Sequence, residues 1–410
     1  MEHSSIACFQ KGTHMTLNRA LGTLLAGTAF LSIANAALAL DGDDVLAKIN
    51  AVYGAQGGKL VAESTEVDGD NVILKNIKMS VNGSNEQLPL GDVTLEGVEE
   101  GDDAYTIDKV LFQDIDMTKD GMTVKASDIS LSGVQVAYEP KPGSLNSVLL
   151  YDTFHAGPIS VSEKDKQIFS INAIDANIDV ADDESQVDFD GSATGIAVDL
   201  TTVPDPKAKQ TIDALGLQNL NGTVTMKGGW TPADGTIDLT EYAFDFDDVG
   251  RLDINLSLKG YTLAFVKSLQ DTMKAAEENP DKAAGQQAMG MAMMGLMAQL
   301  SYGGASIRFD DAGITQKLLD FAGKQQGVDG QQFAQSLKGM LPIMLGQLKV
   351  PELQKQISDA ASAYLDDPKS LTVSAEPAQP LPFPQIMGAA MAGDPAQLVN
   401  TLNVKVTSND

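Results

Sequence analysis

Between residues 59 and 260 this chain repeatedly alternates apolar and polar side chains, and that period of two constrains the fold more than any other feature. Leu252, Ile254, Leu256 and Leu258 alternate with Asp253, Asn255, Ser257 and Lys259; Ile174, Ala176, Ile178 and Val180 alternate with Asp175, Asn177 and Asp179. Successive side chains of a strand point to opposite faces, so such runs predict strands with one apolar and one wet face. Shorter runs of the same kind occur at 77–81, 122–126, 129–131, 196–200, 237–239 and 244–246.

Asp-Gly and Asn-Gly pairs favour tight hairpins because both residues tolerate positive φ. Asn82-Gly83, Asp120-Gly121, Asp190-Gly191, Asn221-Gly222 and Asp234-Gly235 are therefore read as turns. The segment DVTLEGV (Asp92 to Val98) is echoed as DISLSGV (Asp128 to Val134), which suggests a repeated hairpin unit.

Past Gly260 the period lengthens to that of a helix. Phe265, Leu269 and Met273 share one stripe; Phe333, Leu337, Met340, Met344 and Leu348 share another, with a kink expected at Pro342. Ile314, Leu318 and Phe321 mark a shorter helix, and Leu353, Ile357, Ala361 and Tyr364 a further one. Between Lys282 and Arg308 no residue is charged, and Met289, Met291, Met293, Met294 and Met297 crowd together there. Methionine is flexible and polarisable, so this segment reads either as a core helix or as an adaptable cover over a groove. Asp394-Pro395 is an N-cap and N1 pair for a last helix, after which Leu402, Val404 and Val406 alternate as a strand returning to a sheet edge.

The predicted fold class is thus α+β and β-rich. A curved antiparallel meander sheet over about 59–260 is packed by several amphipathic helices over about 261–365 and closed by a C-terminal strand. Residues 40–260 and 261–410 are expected to form one continuous domain.

The N-terminus reads as a secretory leader. Arg19 supplies a positive charge, Leu21 to Ile33 is uncharged and apolar, and small residues offer cleavage after Ala36 or Ala39. Met15 is the expected true start, and about 13 apolar residues fall short of the roughly 20 that span a bilayer. Residues 1–39 are therefore expected to be removed, giving a periplasmic protein with no retained transmembrane segment.

Composition excludes much chemistry. Beyond the leader there is no cysteine and a single histidine, His155, so no cysteine nucleophile or His-rich metal site is available. No phosphate-binding glycine loop of either common type occurs, and no cofactor is expected. The net charge of −28 argues against nucleic acid. Carboxylates are plentiful, notably Asp182, Asp183, Glu184 and Asp245, Asp247, Asp248, but neither set has the spacing of a calcium loop. No metal site and no catalytic residue is assigned. A carboxylate-dependent hydrolase of envelope polymer needs only two converging acids and stays open as an alternative.

The strands of the form DVTLEGV and DISLSGV, followed by VGRLDINLSLKG (Val249 to Gly260), resemble the repeating β units of AsmA-like envelope proteins. The runs SIRFDDAGITQKLLDFAGKQQGV (Ser306 to Val328) and AQPLPFPQIMGAAMAGDPAQLVNTLNVKV (Ala378 to Val406) are similar to uncharacterised periplasmic proteins of alphaproteobacteria. The AsmA resemblance implies a curved sheet whose apolar concave face meets lipid acyl chains. The expected function is accordingly a non-enzymatic envelope protein holding lipid or another apolar ligand. Ile174, Ile178, Leu252, Ile254 and Leu256 would line the groove, with Met289, Met293 and Met297 covering it. An envelope protein bound through an exposed sheet edge is the third reading, and oligomeric state is left open.

Overall fold

The alternating runs pair into one antiparallel sheet that does not close into a barrel. The computed structural model describes residues 40–55, 58–81, 87–141, 143–147 and 150–410. Residues 1–39, read as a leader, and the turn expected at Asn82-Gly83 lie outside the described residues.

Helix α1 (Gly42–Ala55) comes first. Strands β1 (Gly58–Val61) and β2 (Ser64–Asp68) then lie end to end along β3 (Asn71–Val81), which pairs with β4 (Gln87–Glu100). The next four long strands are each broken into two. These are β5 (Ala104–Phe112) with β6 (Ile115–Lys119), and β7 (Met122–Ala126) with β8 (Ser130–Ala137). They continue with β9 (Thr153–Ala156) and β10 (Ile159–Glu163), then β11 (Lys166–Ile171) and β12 (Ala173–Val180). Each half pairs with the corresponding half of its neighbour, so the sheet order follows the chain. β13 (Val187–Asp199) accepts both β12 and β11 on one side, and β14 (Asn219–Thr231), β15 (Thr236–Phe246) and β16 (Gly250–Lys259) follow. β17 (Ser301–Asp311), β18 (Ser370–Ala375) with the short β19 (Leu381–Pro382), and β20 (Val404–Ser408) complete the meander.

The breaks are aligned. Asn76 and Gly91 at positive φ, Gln113-Asp114, Asp128 at positive φ, the cis Gly157-Pro158 bond, Asn172 and Gly195 fall on seven neighbouring long strands. Backbone bonds tie this line together, Gly157 N–H to Ser127 O and Asn172 N–H to Thr194 O among them. Extra residues in a strand bend it and increase its twist, so an aligned series creases the sheet. The echoed heptads now have a structural meaning: Gly97 in β4 and Gly133 in β8 both sit at φ near +63, at 63° and 64°. Each lets a carboxylate side chain from the neighbouring strand, Asp108 or Asp152, lie where a Cβ would be. Val93, Leu95 and Val98 in one heptad, and Leu131 and Val134 in the other, face the same core.

Two turn readings are corrected. Asp120-Gly121 and Asp234-Gly235 do form turns, whereas Asp190-Gly191 lies inside β13 and Asn221-Gly222 inside β14. Neither of those glycines has positive φ; each is a place of close approach. The Phe246 ring and the Asp245 carbonyl crowd the space above Gly222, and the Asp175 carbonyl that above Gly191. A glycine inside a strand marks close backbone or ring approach as readily as a turn.

Helices fill the long connections. α2 (Pro206–Leu215) joins β13 to β14, capped by Asp205. α3 (Leu263–Glu278) and α4 (Lys282–Met297) join β16 to β17. α5 (Ile314–Gln325), α6 (Gly330–Leu345) and α7 (Pro351–Asp366) join β17 to β18. α8 (Phe383–Met391) and α9 (Pro395–Thr401) lead to β20, with Asp394 capping Ala396 and Gln397 N–H as its spacing predicts. Because the strands alternate in direction, α3–α4 and α8–α9 lie on one margin of the sheet. The Asp120-Gly121 turn, α2 and α5–α7 lie on the other. β17 is a full strand inside the helix-rich region; its alternation in Ser306 to Phe309 is the signal for it.

The best-packed core is N-terminal. Val45, Ile49 and Val52 of α1 pack on Val72, Leu74, Leu95, Ile107 and Val136. Burial of Tyr105 there, together with the Asp44 carboxylate that accepts its hydroxyl proton, pushes the phenol well above its usual range. Both sheet edges are covered in part. At the N-terminal edge the Asn50 amide donates to Leu60 O and accepts from Leu60 N–H. At the C-terminal edge α7 packs on β20, and Gln356 Oε1 accepts from Val406 N–H.

Candidate functional site

Cross-strand partners share a face, so the register traces one apolar surface across the sheet. From β9 onward it runs Phe154 to Ala176, Ile178 to Phe189, Ala193 to Val224, Val224 to Phe244, Phe244 to Leu252 and Leu252 to Phe309. It ends through Ile307, Val373 and Val406. None of these positions carries a charge. Ile174 and Ile178 on β12 lie on the same face as Leu252, Ile254 and Leu256 on β16, separated by β13, β14 and β15.

The opposite face is polar and bonded to itself. Arg251 bridges Glu241 at 2.8 Å and Asp253 at 3.0 Å, and Arg308 binds Asp310 and the C-terminal Asp410. Hydrogen bonds from Thr225 and then Arg251 hold the Glu241 carboxyl below its usual range.

Exposure separates this surface into two regimes. Under α1, Leu74 is 1% exposed; near the C-terminal edge Ile307 is 50% and Val373 43% exposed. Leu252, Ile254, Leu256, Ile174 and Ile178 are half-buried. The helices therefore leave a long stretch of the apolar face reachable. At the N-terminal end, next to Ile49 of α1, a partly open cavity of about 80 Å³ is lined wholly by apolar side chains, among them Leu60, Leu90, Phe112 and Leu131. It is smaller than the roughly 300 Å³ of ordinary ligand pockets, so it is the narrow end of the surface and not a complete site.

Of the proposed cover residues, Met289 and Met293 are half-buried and Met297 is 36% exposed. Met293 packs with Phe265, Leu296 and Leu300, and α4 lies chiefly against α3 at the margin. Residues that the sequence reading missed include Phe154, Phe189, Val224, Ile307 and Val373 on the face and Ile49 beside the cavity. The i, i+4, i+7 spacing of Val45, Ile49 and Val52 was the available signal for α1.

The catalytic alternatives find little geometry. His155 lies on the polar face, with Nδ1 2.7 Å from Asp175 Oδ1 and Nε2 3.5 Å from Asp128 Oδ2. Ser130 is its cross-strand partner, yet among the described residues no hydrogen bond joins the Ser130 hydroxyl to the ring, whose second nitrogen faces Asp128. Asp182, Asp183, Glu184, Asp245, Asp247 and Asp248 are all exposed. Among the described residues no group of three or more His, Cys, Asp or Glu side chains is placed to hold a metal ion.

A family model described as an uncharacterized protein matches residues 243–409. That stretch begins within β15 and runs through β20, so it takes in the most exposed part of the apolar face and the helices α3 to α9. The comparison with curated proteins found no match.

Proposed function

We propose that this protein holds lipid acyl chains, or a ligand of like apolarity, along the open part of its apolar face, and that it performs no catalysis. The observation that carries the reading is a charge-free, half-exposed surface running over nine successive strands from β9 to β20. Burying apolar surface is worth about 25 cal/mol per Å², so leaving so much of it in water is costly unless a ligand covers it. Eight interstrand steps of about 4.8 Å make the surface about 38 Å long, more than the roughly 15 Å depth of one leaflet's hydrocarbon. Ile174, Ile178, Leu252, Ile254 and Leu256 line its middle. The resemblance of the strands to AsmA-like units supports the same reading, as does the expected secretory leader, since export would bring the protein to envelope lipid.

Neither alternative gains a specific observation. A hydrolase requires two converging carboxyls with one desolvated, and the candidate acids are exposed. Edge pairing with another protein requires free strand edges; Asn50 caps Leu60 on β1 and Gln356 caps Val406 on β20, which leaves only part of each edge for a partner.

The test is native mass spectrometry of the protein purified without detergent, followed by organic extraction. Lipid bound at near-stoichiometric level is expected, with Val224→Asp/Ile254→Asp reducing it at least tenfold while the circular dichroism spectrum is kept. Protein that is free of lipid and does not take up a fluorescent fatty acid would sink the reading.

A further inference from the structure

Among the described residues, the two longest stretches of this acidic chain without a charge are 283–307 and 377–393. The fold brings them to one corner. Phe383, the first residue of α8, donates its N–H to Leu300 O just past α4, and its ring packs with Phe265, Leu296 and Leu300. α4 turns Leu296 and Met293 into this cluster and leaves Met291 59% and Met294 63% exposed; on α8, Met391 is 86% exposed. Met387 and, on α3, Met273 are also exposed.

We infer that this methionine-studded corner is a docking surface for a lipid bilayer, through which acyl chains reach the apolar face. For that purpose the inference rests on the groove reading; the adsorption itself does not. Three observations select a bilayer. The side chains presented are flexible methionines among Ala, Gly and Gln, without the Trp, Tyr or Arg anchors that concentrate energy in protein interfaces. With a net charge of −28, the chain is repelled by anionic surfaces almost everywhere, whereas the stretches 283–307 and 377–393 offer a neutral or zwitterionic surface no charge of their own. The corner also adjoins the strands whose apolar face is most exposed, since Phe383 follows β19, and β19 and β18 both pair along β17. No helix among the described residues is long and apolar enough to span.

The experiment places an environment-sensitive fluorophore at the corner. In a Cys8→Ser background, Met294→Cys and Met391→Cys are labelled with NBD and mixed with phosphatidylcholine vesicles; Thr118→Cys, exposed near the Asp120-Gly121 turn on the opposite margin, is the control. Expected are a blue shift and a severalfold rise in emission at 294 and 391, unchanged by 0.5 M salt, and no change at 118. Any retained leader is common to all three proteins and does not alter that comparison. No response at 294 and 391, an equal response at 118, or a response that follows protein concentration without vesicles, as a second copy would give, overturns the inference. Lipid content of the same preparations, measured before vesicles are added, reports on the groove separately: loaded protein with a silent corner fails this inference alone.

Discussion

Asn50 shows how much can rest on one side chain. Its amide satisfies both backbone groups of Leu60 that the sheet leaves facing outward. Asn50→Ala is expected to cost about 1–3 kcal/mol in chemical denaturation, because it strands a donor and an acceptor. It is also expected to produce oligomers in size-exclusion chromatography through the uncovered edge. At Gly133, a β-branched residue meets both a left-handed backbone and the Asp152 side chain. Gly133→Val is expected to lower stability by about 1–3 kcal/mol or more. Acid acts on single carboxylates: the Lys166 ammonium and the Thr201 hydroxyl and N–H bring Asp199 down to about 2, from an ordinary 3.8. A depressed carboxyl stabilises the fold above its unfolded value and loses that contribution as pH falls through its folded one. Thermal melts from pH 5 to pH 2 are therefore expected to show a falling Tm between pH 4 and 2, and Asp199→Asn a shallower fall.

Elements divide by whether their apolar side is covered. α1 seals the face over β3, β4, β5 and β8, so Leu74→Ala opens a cavity there and is expected to cost about 2–5 kcal/mol. Ile307 presents the same apolar face on β17 but stands half in water. Ile307→Ala is expected to cost only about 1 kcal/mol, by urea titration, because half the area is lost. Equal losses at the two positions would mean that the face is covered throughout. Strands were legible wherever alternation was unbroken, as at Leu252 to Leu258, and the capping pair Asp394-Pro395 was legible as a helix start. Asp190-Gly191 and Asn221-Gly222 were misread because a glycine under a neighbouring phenylalanine ring or carbonyl looks, in one dimension, the same as a glycine in a turn. α1 was missed although its spacing was present, since a short helix gains its stability from the sheet it packs on.

At the scale of the molecule, the meander carries an apolar face along one side and a self-bonded polar face along the other. N-terminal sequencing of the protein isolated from the envelope is expected to begin at Ala37 or Leu40; a first residue of Met15 would refute export by a cleaved leader. Local alternation and composition in the sequence determined the β-rich class, the wet and dry sides of the regularly alternating strands and the scarcity of cysteine and histidine. Those properties depend on which residue types are present and how closely they recur. The order of the strands, the crease through Asn76, Gly91, Asp128, Gly157 and Gly195, the partial covering of both edges and the corner where α4 meets α8 were decided by the tertiary structure alone. Each is a relation between residues far apart in the chain, set by which hydrogen bonds and apolar areas the folded sheet satisfies together, and a period of two is the same for a face that is sealed and one left open.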